Sequence, residues 1–387
     1  MLQSILVYGL LFFIMMAGGA YESWKYSVTS PNRIINKNTT PYLLHLGVII
    51  PILAFTFVFG CRYDVGIDFL HCLGNYLLGS ERENDPYFRY ITELMSSNGI
   101  HYSIYFSLWA FIQITLIYYS LRKYKFILPF FAFFLIFGTY FMSMMNVMRQ
   151  QLAACVFMVA IQYIEEKKLV RYLLCVLVAF LFHRSALLLV TVYPILAWKR
   201  DWFKDIKFQL LLYFSAIIIS ISFGDWLIQI IEEPFKLFTN VTGYDDTYRY
   251  SLLENEERFS KTRFGNNTGL GIYINMCLTI PIILLCKKVK SYFHSPYFEI
   301  VYTLWFISIL AGLLFGNSII LYRPFVYIVN FRMVMYAFFA YYCVKQKKSL
   351  YNLIFCVFVL LHLAMFLNII SNGEINKSRF LFFWDIY

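Results

Sequence analysis

The chain has 387 residues, of which 60% are hydrophobic, 21% aromatic and only 14% charged. Soluble globular domains are typically about 45–50% apolar, so this composition excludes that class. The formal net charge is +11 at pH 7. No dinucleotide-binding fingerprint, P-loop or nucleic-acid module accompanies this charge, and no nucleic-acid partner is predicted.

Apolar runs of roughly twenty residues, the length that spans a bilayer core, recur along the whole chain. They predict an all-α integral membrane protein, a polytopic bundle of about 12 membrane segments. The bundle forms a single domain over residues 1–387, with external loops at 61–100 and 230–268. In chain order the predicted segments are 4–20, 42–60, 101–121, 126–145, 147–164, 170–182, 185–198, 209–229, 269–286, 299–316, 325–344 and 349–371.

The basic residues indicate the orientation, because cytoplasmic loops of membrane proteins carry an excess of Lys and Arg. Five short Lys-rich turns can all be cytoplasmic only if residues 170–198 enter the membrane and return to the same side. This stretch is therefore predicted to break near His183 and to form two short or re-entrant helices. One helix of these residues would be about 44 Å long, against a core of about 30 Å. Both termini are then predicted outside. The turns contain Lys123, Lys168, Lys204, Lys288 and Lys347.

The two kinds of basic residue separate in this topology. Fifteen of the 18 lysines lie in predicted cytoplasmic segments, whereas 11 of the 15 arginines lie in predicted external ones. A guanidinium is a planar fork of donors suited to phosphate, so the external arginines are candidate anion ligands. The alternative is that each one anchors a helix at the lipid headgroups.

The loop after the second segment reads Arg62-Tyr63-Asp64-Val65-Gly66-Ile67-Asp68. One Arg and two carboxylates, beside a Gly that permits a tight backbone turn, could hold a pyrophosphate or a sugar hydroxyl. The alternative is an ion pair between the Arg and an Asp that closes the loop.

Further candidates stand where apolar segments begin or break. Arg149 begins a segment from the predicted outer side, so the helix N-terminus adds backbone donors for an anion; the alternative is an interfacial cap. His183 is a candidate phosphate ligand or proton carrier, or a buried His bonded to a carbonyl. Arg323 and Arg332 add external cations around segment 325–344. No spacing indicates a metal site.

These residues carry a resemblance to the EpsG/Wzy-type polysaccharide polymerases. The matching elements cover roughly residues 55–340. They are Arg62-Tyr63-x-Val65-Gly66-x-Asp68, Asp85-Pro86-Tyr87-Phe88 leading to Gly99, Arg149-Gln150-x-Leu152-Ala153, Leu181-Phe182-His183-x-Ser185-Ala186 and Arg332-x-x-x-Tyr336.

The resemblance implies a fold like the GT-C membrane glycosyltransferases. It also implies a multi-pass enzyme of the bacterial cytoplasmic (inner) membrane with its active site facing outside. Such polymerases transfer a growing glycan from undecaprenyl diphosphate to the next lipid-linked repeat unit of O-antigen, capsule or exopolysaccharide. Neither a metal nor another cofactor is expected. The implied partners are the bilayer, undecaprenyl-diphosphate-linked oligosaccharides, a chain-length regulator and a flippase.

Roles follow for the matching residues as expectations. Diphosphate would be bound by Arg62, Arg149 and Arg332, with Arg323 as a weaker candidate. Because the acceptor hydroxyl must lose a proton, His183 and Asp68 are rival bases, and His183 could instead be a second diphosphate contact. The supporting residues are Gln150, Ser185 and Gly66.

Other membrane functions stay open at this stage. A flippase or other transporter of lipid-linked oligosaccharide also has about twelve helices, and broken helices are typical of transporters. A membrane acyltransferase would need an essential His beside a dispensable set of arginines. An O-antigen ligase shares the chemistry of the polymerase and differs in its acceptor.

Overall fold

The computed structural model of the protein describes residues 1–28, 41–79, 86–198, 200–241, 269–316 and 318–386. All regular elements in these ranges are helical, so the all-α prediction is confirmed for them. Most of the predicted external loop 230–268 lies outside the described residues, as does Asp85 of the Asp-Pro motif.

The helices are numbered here in chain order. They are α1 Leu2–Val28, α2 Leu46–Gly60, α3 Phe69–Leu78, α4 Pro86–Ser97, α5 Tyr102–Ser120, α6 Leu128–Phe137, α7 Tyr140–Asn146, α8 Met148–Glu165, α9 Leu169–Phe182, α10 Val192–Trp198, α11 Ile206–Val241, α12 Gly269–Phe293, α13 Pro296–Phe315, α14 Ile319–Tyr322, α15 Val326–Gln346, α16 Ser349–Ser371 and α17 Gly373–Asn376. The 3-10 segments are Tyr42–Leu44, Lys125–Ile127, Arg184–Thr191, Arg323–Phe325 and Phe383–Ile386.

The helices make the chain a multi-pass membrane protein. In the described ranges seven of them are long and apolar enough to cross a bilayer, and the bent pair α6–α7 raises the number to eight. All twelve predicted segments fall on helices. Several, such as the 14-residue α9, are shorter than the roughly 20 residues that a bilayer core requires. The count of twelve crossings therefore stays a prediction.

One predicted segment differs in shape from the expectation. Residues 126–145 were expected to form one span, but the helical axis bends by 63° between Phe137 and Tyr140. Thr139 has a φ of 60° in the left-handed region, which interrupts the regular ladder of helical hydrogen bonds. The short helix α7 then ends at Asn146, and α8 begins at Met148.

The predicted break at His183 is confirmed. Helix α9 ends at Phe182, and His183 is extended with φ −156° and ψ 118°. The Tyr172 hydroxyl donates to the carbonyl of Leu189, and the Tyr172 ring lies 5.1 Å from that of Tyr193. In one straight helix Tyr172 and Tyr193 would be about 30 Å apart. The segment is therefore a hairpin that reverses at His183.

The described chain divides into two compact units: unit 1 contains residues 1–200 and 330–387, and unit 2 contains residues 201–329. In unit 1, α8 packs between α5 and α9, and α1 packs against α2 and α6. Almost every residue of α8 is buried, so this helix lies inside the bundle of unit 1. The single-domain organisation stays a prediction.

One end of unit 1 gathers lysines and carboxylates. Lys123 pairs with Glu166 at 3.3 Å, and Lys125 lies 3.5 Å from Glu22. Arg200 donates to the carbonyl of Glu165 at 3.0 Å. The turns at 122–125, 165–168 and 200 therefore share one end of the unit, as the orientation argument requires.

The opposite end of unit 1 is closed by residues 377–386, here called the C-terminal strap. Its backbone pairs with the loop after α2: Tyr63 donates to the carbonyl of Leu381 at 2.8 Å, and Phe383 donates to that of Cys61 at 3.0 Å. The strap also reaches the start of α1, where Gln3 donates to the Asp385 carboxylate at 2.7 Å. Both termini and the loop after α2 (Arg62–Asp68, called the Arg62 loop) therefore lie at the same end.

Candidate active site

Arg62 lies buried at the centre of the end closed by the strap, with 2% of its surface exposed. Its Nε donates to the carbonyl of Val65 at 3.1 Å, and Nη1 donates to that of Phe59 at 2.7 Å. Nη2 reaches the carbonyl of Met145 at 3.5 Å. Its donors thus meet carbonyl groups at the C-terminal ends of α2 and α7, where the helix dipole favours a cation.

Arg62 keeps its charge in this position. Burial lowers the pKa of its guanidinium to about 10, so it stays protonated at neutral pH. The guanidinium carbon lies 4.9 Å from the ring centre of Phe106 and 5.5 Å from that of Phe69. Carbonyl groups and aromatic faces together compensate a cation that would otherwise be costly to bury.

The ion pair considered between Arg62 and a neighbouring Asp is not formed with Asp64. Asp64 has a φ of 48°, and its carboxylate pairs with Lys377 of the strap at 2.6 Å. Asp68 is half-buried and stands immediately before α3. Of the two carboxylates in the loop, Asp68 remains the candidate base.

Gly66 brings the Arg62 loop close to the end of α7. Its φ is +98°, and a Cβ atom at this position would lie 2.6 Å from Oδ1 of Asn146. Its N–H donates to the carbonyl of Lys377 at 2.7 Å. A positive φ and close packing are both reasons for glycine here, so Gly66 supports the shape of the loop.

The chain breaks between α7 and α8, and side chains of other elements bond to the carbonyl groups on both sides of the break. Gln113, buried on α5, donates to the carbonyls of Met144 and Met148 at 3.3 and 3.4 Å. Together with Arg62 it fills carbonyl positions that the broken helix leaves open. Helix α8 therefore begins at Met148, and Arg149 stands in its first turn, as predicted.

Arg149 is half-buried and lies against an aromatic cluster. Its guanidinium carbon is 5.7 Å from the ring centre of Phe88. Phe88 stacks on Trp109 with their ring centres 4.6 Å apart. Trp109 meets Phe182 edge to face, with ring centres 6.2 Å apart. Because Phe182 directly precedes His183, the cluster connects Arg149 with the turn of the hairpin.

Four of the predicted residues, Arg149, Gln150, His183 and Ser185, therefore lie on or next to this aromatic cluster of unit 1. His183 is half-buried at the hairpin turn, and Ser185 follows it, half-buried, in the 3-10 segment. Gln150 is buried with 4% exposure beside Arg149. No group of three or more His, Cys, Asp or Glu that could hold a metal occurs in the described ranges.

The two remaining arginines lie at or near α15. Arg332 is a half-buried residue of this helix in unit 1. Arg323 is half-buried in the 3-10 turn Arg323–Phe325 of unit 2.

Gln151 and Asn330 join α8 to α15 and did not emerge from the motifs. Nδ2 of Asn330 donates to Oε1 of Gln151 at 3.1 Å, and both side chains are 1% exposed. Arg149 stands two residues before Gln151 on α8, and Arg332 stands two residues after Asn330 on α15. The sequence does contain one indication of this pair: Asn330 is a single polar residue inside the otherwise apolar run before Arg332. Polar residues at membrane depth are candidates for a functional role.

The fold and this region define a class: a multi-pass helical membrane protein with the buried Arg62 and the half-buried Arg149 near the end of unit 1 that the strap closes. The EpsG family model matches residues 45–382. The chain belongs to the EpsG family, and this confirms the resemblance found in the sequence. Neither the curated proteins nor the solved structures contain a significant match.

Proposed function

We propose that the protein is a membrane polysaccharide polymerase that transfers a growing glycan from undecaprenyl diphosphate to the next lipid-linked repeat unit. The reaction takes place at the external face of the bacterial cytoplasmic membrane. The observation that carries the proposal is the position of Arg149, a half-buried cation in the first turn of α8 beside the Arg62 loop. Membership of the EpsG family supports the polymerase class.

The proposed reaction exchanges one glycosidic bond for another. The acceptor hydroxyl oxygen bonds to the anomeric carbon of the donor glycan, and the bond from that carbon to the diphosphate oxygen breaks. The hydroxyl proton goes to a base, and undecaprenyl diphosphate leaves with the electron pair. Negative charge therefore grows on the diphosphate, where fixed cations shielded from water lower the barrier.

In this proposal the arginines bind the diphosphate. Arg149 and Arg332 are the principal ligands, and Arg323 is a weaker candidate. Arg62 belongs to the same set. Because its donors are already bonded to carbonyls of Phe59 and Val65, a direct contact with diphosphate requires these bonds to exchange.

The base is proposed to be His183 or Asp68. His183 stands at a break in an apolar hairpin, and an imidazole is the side chain that most often serves as a general base. Its other proposed role is a second diphosphate contact. Asp68 stands at the start of α3, close to Arg62 in sequence. Gln150, Ser185 and Gly66 support the site without taking part in bond exchange.

The first test compares surface polysaccharide from a strain lacking this gene after complementation with wild type, Arg149→Ala or Arg149→Lys. Both variants should reach the membrane but leave a single capped repeat in place of the long ladder, because a Lys cannot reproduce bidentate contacts. Arg171→Ala is the matched control, since Arg171 is exposed at the start of α9, and it should restore the ladder.

Two outcomes would contradict this assignment. A normal ladder from Arg149→Ala would remove Arg149 from the site, and near-full activity of Arg149→Lys would reduce its role to a point charge. An unchanged ladder in the deletion strain would exclude the polymerase altogether.

A flippase for lipid-linked oligosaccharide is the second candidate function. The observation that favours it is the pair of discontinuous helices α6–α7, bent by 63°, since broken helices often form substrate sites in transporters. Deletion would then remove even single surface repeats, and lipid-linked units would accumulate on the cytoplasmic side. A ligase would also remove surface repeats, but its lipid-linked chains would accumulate on the external side. An acyltransferase would leave the ladder length unchanged.

A further inference from the structure

The Gln151–Asn330 pair is a buried polar contact between α8 and α15 within unit 1. The hydrogen bond from Nδ2 of Asn330 to Oε1 of Gln151 is 3.1 Å long. Both side chains are 1% exposed. The neighbouring contact between these helices is apolar, with the rings of Phe157 and Phe331 at 5.7 Å. Two amides are therefore enclosed at a helix contact that apolar side chains could fill.

The single bond leaves the pair chemically incomplete. Among the described residues, neither Nε2 of Gln151 nor Oδ1 of Asn330 has a hydrogen-bond partner. Exchanging the nitrogen and oxygen positions in both amides restores one bond and again leaves one nitrogen and one oxygen. In either assignment one side chain of the pair keeps an unbonded donor and the other keeps an unbonded acceptor.

A hydroxyl group has the chemistry to satisfy both atoms. It accepts a hydrogen bond from the amide nitrogen and donates its own hydrogen to the amide oxygen. Buried polar groups without partners carry their full desolvation cost. A ligand that satisfies both atoms removes this cost. The free energy gained offsets the penalty for rearranging the two side chains toward the ligand. A water molecule and a sugar hydroxyl share this chemistry.

We propose that Gln151 and Asn330 form a subsite for a hydroxyl of the lipid-linked glycan. The sugar is favoured over water by position, because Arg149 and Arg332 each stand two residues away along their helices, an axial rise of about 3 Å. In a lipid-linked glycan the first sugar is joined directly to the diphosphate. Arginines on the diphosphate would therefore bring sugar hydroxyls within reach of the amide pair. The proposal rests on the polymerase function.

The decisive variant replaces both amides with apolar side chains of similar shape, Gln151→Met with Asn330→Leu. Removing both partners together leaves no orphaned polar atom, so the fold should be kept. Gln162→Met is the matched control. Gln162 is a buried amide on the same helix, and it donates to the carbonyl of Ser120 at 3.0 Å, at the opposite end of α8.

Binding is titrated on the full-length protein in nanodiscs with two probes, undecaprenyl diphosphate alone and the lipid-linked oligosaccharide fraction extracted from the host. Wild type and the Gln162→Met control should bind the glycan-bearing lipid about tenfold more tightly, as expected for two hydrogen bonds to a neutral hydroxyl. The double variant should lose this preference and bind undecaprenyl diphosphate as the wild type does. Its polymerisation activity should fall in parallel.

A double variant that keeps the tenfold preference would overturn the subsite and leave water as the partner of the pair. Wild type without any preference would overturn it as well. If the double variant does not accumulate, Gln151→Asn retains the amide but withdraws it by one methylene, and it should lose several-fold of the preference. Failure of the polymerase function is read separately, as an unchanged ladder in the deletion strain.

Discussion

At the scale of single residues, the charge of Arg62 is used first to hold the fold. Two of its donors meet carbonyl groups at the ends of α2 and α7, and its guanidinium lies against the neighbouring rings of Phe69 and Phe106. These bonds fix the break before α8 and hence the position of Arg149. The motif identified Arg62 as important, but its sequence neighbours suggested a carboxylate or a substrate phosphate as its partner.

This arrangement makes a prediction about stability. Arg62→Ala should lower the free energy of unfolding by about 2–4 kcal/mol, because buried carbonyls lose their donors. The midpoint of thermal unfolding in detergent measures the effect. Arg89→Ala is the control, since the Arg89–Glu93 pair is 41% and 42% exposed and such pairs contribute about 0–1 kcal/mol. An unchanged midpoint for Arg62→Ala, with lost polymerisation, would make Arg62 a substrate ligand instead.

Gly66 gives a second prediction at this scale. Gly66→Ala should destabilise the protein by more than about 1–2 kcal/mol, because its φ of +98° is unfavourable for L side chains and its Cβ would meet Asn146. Gly74→Ala is the control: Gly74 lies within α3 and has nothing within 4 Å of a Cβ. Gly74→Ala should be neutral or stabilise by about 0.5–1 kcal/mol. Equal unfolding midpoints for the two variants would contradict this role of Gly66.

At the scale of elements, the hairpin at His183 was predictable because length and charge set it. The run 170–198 is too long for one crossing, and the Lys-rich turns at its two ends require an even number of crossings. Segment 126–145 carried no such signal. It has the length and apolarity of one straight span, and its bend depends on the left-handed conformation of Thr139, which its local sequence does not specify.

The hairpin can be tested by labelling with a membrane-impermeant thiol reagent in a cysteine-free background. Arg184→Cys should be labelled in intact cells, whereas Lys168→Cys and Lys204→Cys should be labelled only after permeabilisation. All three native side chains are exposed, so accessibility should depend on the side of the membrane. Labelling of Lys168→Cys and Lys204→Cys from opposite sides would mean that 169–198 crosses once.

At the scale of the whole molecule, unit 1 has two chemically different ends. One gathers Lys123, Lys125 and Glu166, whose contacts join turns that the sequence assigns to the cytoplasm. The other contains the strap, Arg62 and the start of α8. This separation agrees with the predicted division between lysines and arginines. The labelling experiment above also decides which end faces outward.

The strap shows how distant parts of the chain complete this region. Lys377 pairs with Asp64 across 313 positions of sequence, and Phe380 donates to Ser4 across 376. Its residues carried no motif and were given no role in the sequence analysis. The strap also pairs through its backbone with the loop after α2. Such pairing depends little on side-chain identity, so composition does not predict it.

The sequence by itself determined the class, the positions of the apolar helices and the break at His183. These depend on local quantities, since apolar length against bilayer thickness and the placement of lysines can be read from short stretches of chain. Only the tertiary structure decided which groups meet the polar side chains. Arg62 reaches Met145 across 83 residues, and Asn330 reaches Gln151 across 179. Such partners depend on how the helices pack, because a buried polar group bonds to whatever donor or acceptor the packing brings within about 3 Å.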